Sequence, residues 1–148
     1  MAAKTMERER IIMNFSVAPS AEDIEVMALN ALESLPEQLM ELSEKLAVKV
    51  EDFPDEVTQH DLDLEGPYEL LALYKSGSQI SPGVTKKTAN DDDVLIIFRR
   101  PLLDAWCESG EDISLLLRQV MIEEIATNFD FAEDDIEDMI ARNLQGML

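Results

Sequence analysis

Residues 113–129, ISLLLRQVMIEEIATNF, place the strongest condition on how this chain can fold. At about 100° per residue, Leu116, Leu117 and Val120 gather around Ile113 on one side of a helix. Such a stripe has to be covered by other elements, so this helix belongs against a core. Glu124 falls inside the same cluster, and Glu123 and Thr127 fall on its flank, one turn apart. A carboxylate in an apolar stripe is costly unless something pairs with it or it keeps its proton. Either the stripe drifts towards Ile125 and Phe129 and leaves both glutamates in water, or these polar residues line a cleft.

The remaining pattern supplies partners for that helix. Residues 94–100, VLIIFRR, are the clearest strand, being short, apolar and rich in branched residues. Residues 47–53 alternate Val48 and Val50 against Lys49 and Glu51, and Pro54 ends them. A further strand is expected over residues 69–75, after the turn residues Gly66 and Pro67. Ser20 with Asp23 marks a helix start, and Pro36 breaks that helix and opens a short second one. Residues 55–64 form a short helix or turn, Pro101 opens another short helix, and Asp112 caps the long one. A last acidic helix over 132–144 carries Ile136, Met139, Ile140 and Leu144 on one side. Residues 76–93 make a loop longer than usual, which is either functional or poorly ordered. The fold class is α+β, a small mixed sheet packed by helices in one domain over residues 20–148, preceded by a flexible arm, residues 1–19.

Composition removes several function classes. With 32 acidic and 12 basic residues the net charge is -20, which opposes binding to nucleic acid or an anionic membrane. No apolar run approaches the roughly 20 residues that span a bilayer. One cysteine, Cys107, suits a reducing cytoplasm, and its place beside Trp106 in an apolar helical stretch points to the core. The single histidine, His60, is expected to face solvent. Arg99 and Arg100 are expected to pair with local carboxylates, Asp91, Asp92 and Asp93 to form a solvated loop, and EDDIEDM to form a solvated helix face.

The segments VEDFP, PYELLALYKSG, IIFRRPLLDAW and EEIATNFDFAEDDI together resemble the small zincin-like metallopeptidases known as minimal zincins. The resemblance runs over roughly residues 23–139, and VEDFP and FRRPLLDAW are its most specific parts. It implies a compact α+β domain whose long helix carries a motif of the form H-E-x-x-H-x-x-G-x-x-D. Aligned without a gap, Glu123 stands at the first histidine, Glu124 at the general-base glutamate and Thr127 at the second histidine. Asp130 stands at the glycine and Glu133 at the third-ligand aspartate. The resemblance thus implies zinc for the family and withholds both imidazoles here.

Two histidines at i and i+4 present neutral nitrogens from one helical face, and a third ligand completes an open zinc site. The metal then acidifies its bound water and the glutamate takes the proton. Glu123, Thr127 and Glu133 offer only oxygens, a set closer to calcium or magnesium chemistry than to zinc. Glu123 and Glu133 repel each other at short range and would share a proton or recruit a cation. The expectation is therefore a non-catalytic homologue with no cofactor, in which Glu124 is an inactive vestige of the general base on a wet cleft floor. It would act as a peptide- or protein-binding module, with a basic partner favoured by the charge. Val94, Leu95, Ile96, Ile97, Phe98 and Arg99 are the candidate edge strand for an extended peptide. The alternative is a divergent hydrolase with a metal held by Glu123, Glu133 and Asp130 or Asp134; a third possibility is an acidic decoy.

Overall fold

The computed structural model describes residues 18–76 and 93–146. Capping decides where its first helix begins. Ser20 Oγ accepts the Asp23 N–H at 3.1 Å, and Asp23 Oδ2 accepts the Ser20 N–H at 3.0 Å. This reciprocal box starts α1, Ala21–Leu32, whose Ile24, Met27, Ala28 and Ala31 turn inward. A single turn, α2, Glu37–Met40, follows Pro36 and buries Leu39. The chain then passes through β1, Ala47–Glu51, the short helix α3, Glu56–Asp61, and β2, Ala72–Lys75. After the undescribed residues 77–92 come β3, Val94–Phe98, and three helices, α4, Arg99–Ser109, α5, Ile113–Asn128, and α6, Glu133–Gly146. The α+β class is as expected.

The sheet runs β1-β3-β2, with β1 parallel and β2 antiparallel to β3. Val48 stands opposite Leu95 on one side of β3, and Tyr74 stands opposite Leu95 on the other. The expectation that residues 94–99 form an exposed edge is therefore wrong. Val94, Leu95, Ile96, Ile97 and Phe98 form the central strand, and Arg99 already belongs to α4. Its composition explains this. Leu95 and Ile97 join the main core, while Ile96 and Phe98 are buried on the opposite face. A strand with no polar residue to offer water is stable only when both faces and both edges are covered.

Proline and glycine punctuate the helices where their backbone preferences allow. Pro101 occupies the first turn of α4, where its missing N–H costs nothing, and the preceding Arg100 N–H is satisfied by the Asp52 carbonyl at 3.1 Å. Gly110 closes α4 in the left-handed region, φ 71. Asp112 then caps α5 through the Ser114 N–H at 2.8 Å. Helix α5 buries Ile113, Leu117, Met121, Ile122, Ile125 and Ala126 against α1, β2 and α6. Burying such aliphatic side chains contributes about 1.5–3 kcal/mol each, which makes α5 the spine of the core.

Smaller expectations divide. Arg99 pairs with Asp52 at 3.6 Å and donates through Nε to the Pro19 carbonyl at 2.8 Å, so Pro19, assigned to the flexible arm, is buried in the fold. Residues 1–17 lie outside the described residues, as do Asp91 and Asp92. Arg100 instead lies over the Phe53 ring, 5.7 Å from its centre. Cys107 is exposed rather than in the core, because α4 turns Pro101, Leu102, Leu103 and Trp106 towards the interior and leaves Cys107 on its outer side. Asp93 is 1% exposed, not solvated, and accepts the Tyr74 phenol at 2.6 Å. His60 is exposed, and in α6 Ile136 and Met139 face inward while the acidic residues around them face solvent.

Candidate functional site

The site lies where α5 passes under β2 and meets α6. Helix α5 ends in a tight turn that uses both of its last carbonyls. The Phe131 N–H reaches the Ala126 carbonyl at 3.0 Å, and the Asp130 N–H reaches the Thr127 carbonyl at 3.1 Å. This closure requires a left-handed residue between them, and Asp130 takes φ 62. Asp130 is the position aligned with the glycine of the metallopeptidase motif. The turn a glycine would favour is thus retained, with aspartate among the residues that tolerate it.

One turn before that closure, α5 presents two different polar faces. Glu123 and Thr127 are exposed and line a cavity of about 450 Å³ together with Gln119, Glu133 and Glu137. Ile136 and Ile140 of α6 supply its apolar lining. The three positions that the resemblance aligns with metal ligands line this one cavity. Their donors do not fit zinc: a carboxylate and a neutral hydroxyl stand where two imidazole nitrogens would grip the ion, and the third position adds another carboxylate. Among the described residues, no three His, Cys, Asp or Glu side chains are grouped so that they could hold a metal ion.

Glu124 faces the other way, towards the sheet. Its Oε2 accepts the backbone N–H of Tyr74 at 2.9 Å. The Phe98 N–H donates to the Leu71 carbonyl at 2.9 Å, so alternate residues of β2 turn their backbone groups to β3. Ala72 and Tyr74 consequently point theirs away from β3, along the outer edge. Glu124 thus sits on the side of β2 that faces away from β3. Burial raises its carboxyl above the ordinary carboxylate range; the Tyr74 N–H draws it part of the way back, and the charge of Glu123 adds a further upward push. The carboxylate expected to persist because the cleft is wet is instead half-buried and held by a backbone donor.

Tyr74 is fixed at three points. Its ring meets Phe129 edge-on at 5.7 Å, its hydroxyl donates to Asp93 and its N–H donates to Glu124. Burial pushes the phenol up to about 12. Neither Tyr74 nor the β2 edge was among the sequence candidates. The only sequence cue is the short length of the run ALYK and its charged end at Lys75, both habits of edge strands.

The sequence model of zincin-like metallopeptidases matches residues 43–142, from the turn after α2 to the last part of α6. The chain belongs to the zincin-like metallopeptidase family. The match contains the three strands of the described residues and the whole of α5, so the zincin-like region is the part of the molecule that builds this site. No curated protein matches the chain. Among the described residues no helix is long and apolar enough to cross a membrane.

Proposed function

We propose that this zincin-like chain is a non-catalytic binding module that takes an extended peptide, or an extended segment of a protein, along the outer edge of β2. The observation that carries this reading is the relation of β2 to α5. The edge strand turns the Tyr74 N–H towards Glu124 of α5, the helix on which the resemblance places the metal motif and which carries Glu123 and Thr127 where that motif has histidines. Strand addition uses backbone groups alone, so it survives the loss of the catalytic ligands. The net charge of -20 favours a basic partner.

The test is a titration of isotope-labelled protein with a blocked octapeptide alternating lysine and valine, followed by amide NMR. Shifts are expected at Ala72, Tyr74 and Glu124, and an analogue with proline at every valine should not produce them. Shifts confined to the acidic face of α6, or equal shifts with the proline analogue, would reduce the binding to unspecific charge attraction and end this reading.

A second reading has one observation behind it, the sharing of one cavity by Glu123, Thr127 and Glu133. Under it the chain is a divergent hydrolase with a hard cation among carboxylates. Metal analysis of untagged protein separates the two. A stoichiometric ion that Glu123→Ala abolishes would favour the hydrolase.

A further inference from the structure

Glu124 does more at the β2 edge than persist from a catalytic ancestor. A strand added to β2 would place one of its carbonyls on the Tyr74 N–H, because that donor points away from β3. Glu124 Oε2 already holds that position at 2.9 Å. Neither partner can easily move aside. Tyr74 is pinned by Phe129 and Asp93, and Glu124 projects from a helix anchored on both sides of it by the fully buried Met121, Ile122, Ile125 and Ala126. A bond to an ionised carboxylate is also stronger than the neutral carbonyl bond that would replace it.

We propose that Glu124 is a built-in competitor for strand addition at β2, displaced most readily by a strand that brings a cation opposite it. The cation follows from what displacement leaves behind. Once its donor is taken, a half-buried carboxylate remains without a partner, which is costly unless the ligand supplies a positive charge. The ligand is therefore an extended segment with lysine or arginine at the residue that meets Glu124. This inference rests on the strand-addition reading above and adds a specificity-determining residue to it.

The experiment has one readout that needs no ligand and one that does. In the free protein, Glu124→Ala should speed amide hydrogen exchange at Tyr74 at least about tenfold, whereas Leu73, whose N–H faces β3, should not change. Glu124→Gln, which keeps an accepting oxygen, should lie between Glu124→Ala and the wild type. In the presence of ligand, a blocked octapeptide alternating threonine and valine should bind Glu124→Ala about tenfold more tightly than the wild type. The wild-type preference for the lysine–valine peptide over the threonine–valine one should shrink in the same variant. Unchanged exchange at Tyr74 in Glu124→Ala overturns the closure whatever the peptides do. Faster exchange with no gain for the neutral peptide overturns the competition when the lysine–valine peptide binds. Faster exchange with no binding of either peptide to any variant supports the closure and overturns the strand-addition reading instead.

Discussion

The two edges of this sheet are guarded in different ways. Along β1 the guard is local. Lys49 is exposed and pairs with Glu51, two residues away, at 2.9 Å, and the strand ends before Pro54. Alternating charge and a nearby proline are written in consecutive residues, and they discourage pairing with another chain. Along β2 the guard comes from far away. The Tyr74 N–H is held by Glu124, fifty residues further along, and the Tyr74 ring is held by Phe129. An edge protected by its own side chains is closed to every partner alike. An edge protected by one carboxylate from a packed helix can be opened by a ligand that satisfies that carboxylate better.

The largest effect should come from removing the platform that carries Glu124. Ile125 is fully buried beside it, and Ile125→Ala should cost about 2–5 kcal/mol in urea unfolding, with amides of β2 losing more protection than those of β1. Equal losses at both edges would mean that α5 does not single out β2.

Tyr74→Phe should come next. It removes the phenol from the buried Asp93 carboxylate, at a cost of about 1–3 kcal/mol, and should leave the Lys49–Glu51 edge undisturbed. The same variant tests the titration. Of the two tyrosines, Tyr74 should ionise near 12 in an alkaline absorbance titration, and that late wave should vanish with the substitution. The sign follows from linkage. The unfolded phenol ionises near the ordinary 10 while the folded one stays protonated, so stability is complete below that value and declines as pH rises towards about 12.

Glu124→Gln should have a smaller effect, one that depends on pH. Burial raises the Glu124 carboxyl, so the folded protein holds more proton than the unfolded chain between the ordinary glutamate value and the raised one. Wild-type stability therefore falls, relative to the variant, as pH rises through that window, and the difference levels off above it. Urea midpoints of both proteins measured across acid to neutral pH give the comparison; a constant difference would show that Glu124 is not desolvated.

Lys49→Ala should be the mildest. The exposed Lys49–Glu51 pair is worth at most about 1 kcal/mol, a value checked in the same unfolding assay at low and high salt. A larger loss would erase the distinction between the edges.

Much of the architecture was legible without coordinates, and the errors have a common origin. The Ser20 box, the Asp112 cap, the Pro36 break and the inward faces of α1 and α6 all follow from residues within about one turn of each other, whereas on α5 Leu116 and Val120 are only partly buried and Met121, Ile122, Ile125 and Ala126 fill the core. Of the residues that the resemblance aligns with the motif, Glu123, Thr127 and Glu133 line one cavity and Asp130 occupies a left-handed turn. The strand order, however, was misread. The run VLIIF was recognised as a strand but assigned to an edge, although its lack of polar residues is what a central strand requires. Asp93 looked solvated in an acidic run, and Cys107 looked buried beside Trp106; their true environments depend on Tyr74 and on which way α4 faces.

By itself the sequence determined the helices, the presence of a small sheet, the family to which the chain belongs and the absence of histidine from α5. Those properties reside in short-range periodicity, capping and residue identity, which act over one or two turns of chain. Only the tertiary structure decided that β2 is the edge beside α5 and that Glu124 serves a backbone N–H. Strand neighbours and carboxylate partners are chosen by packing between segments fifty residues apart, and local spacing carries no record of that choice.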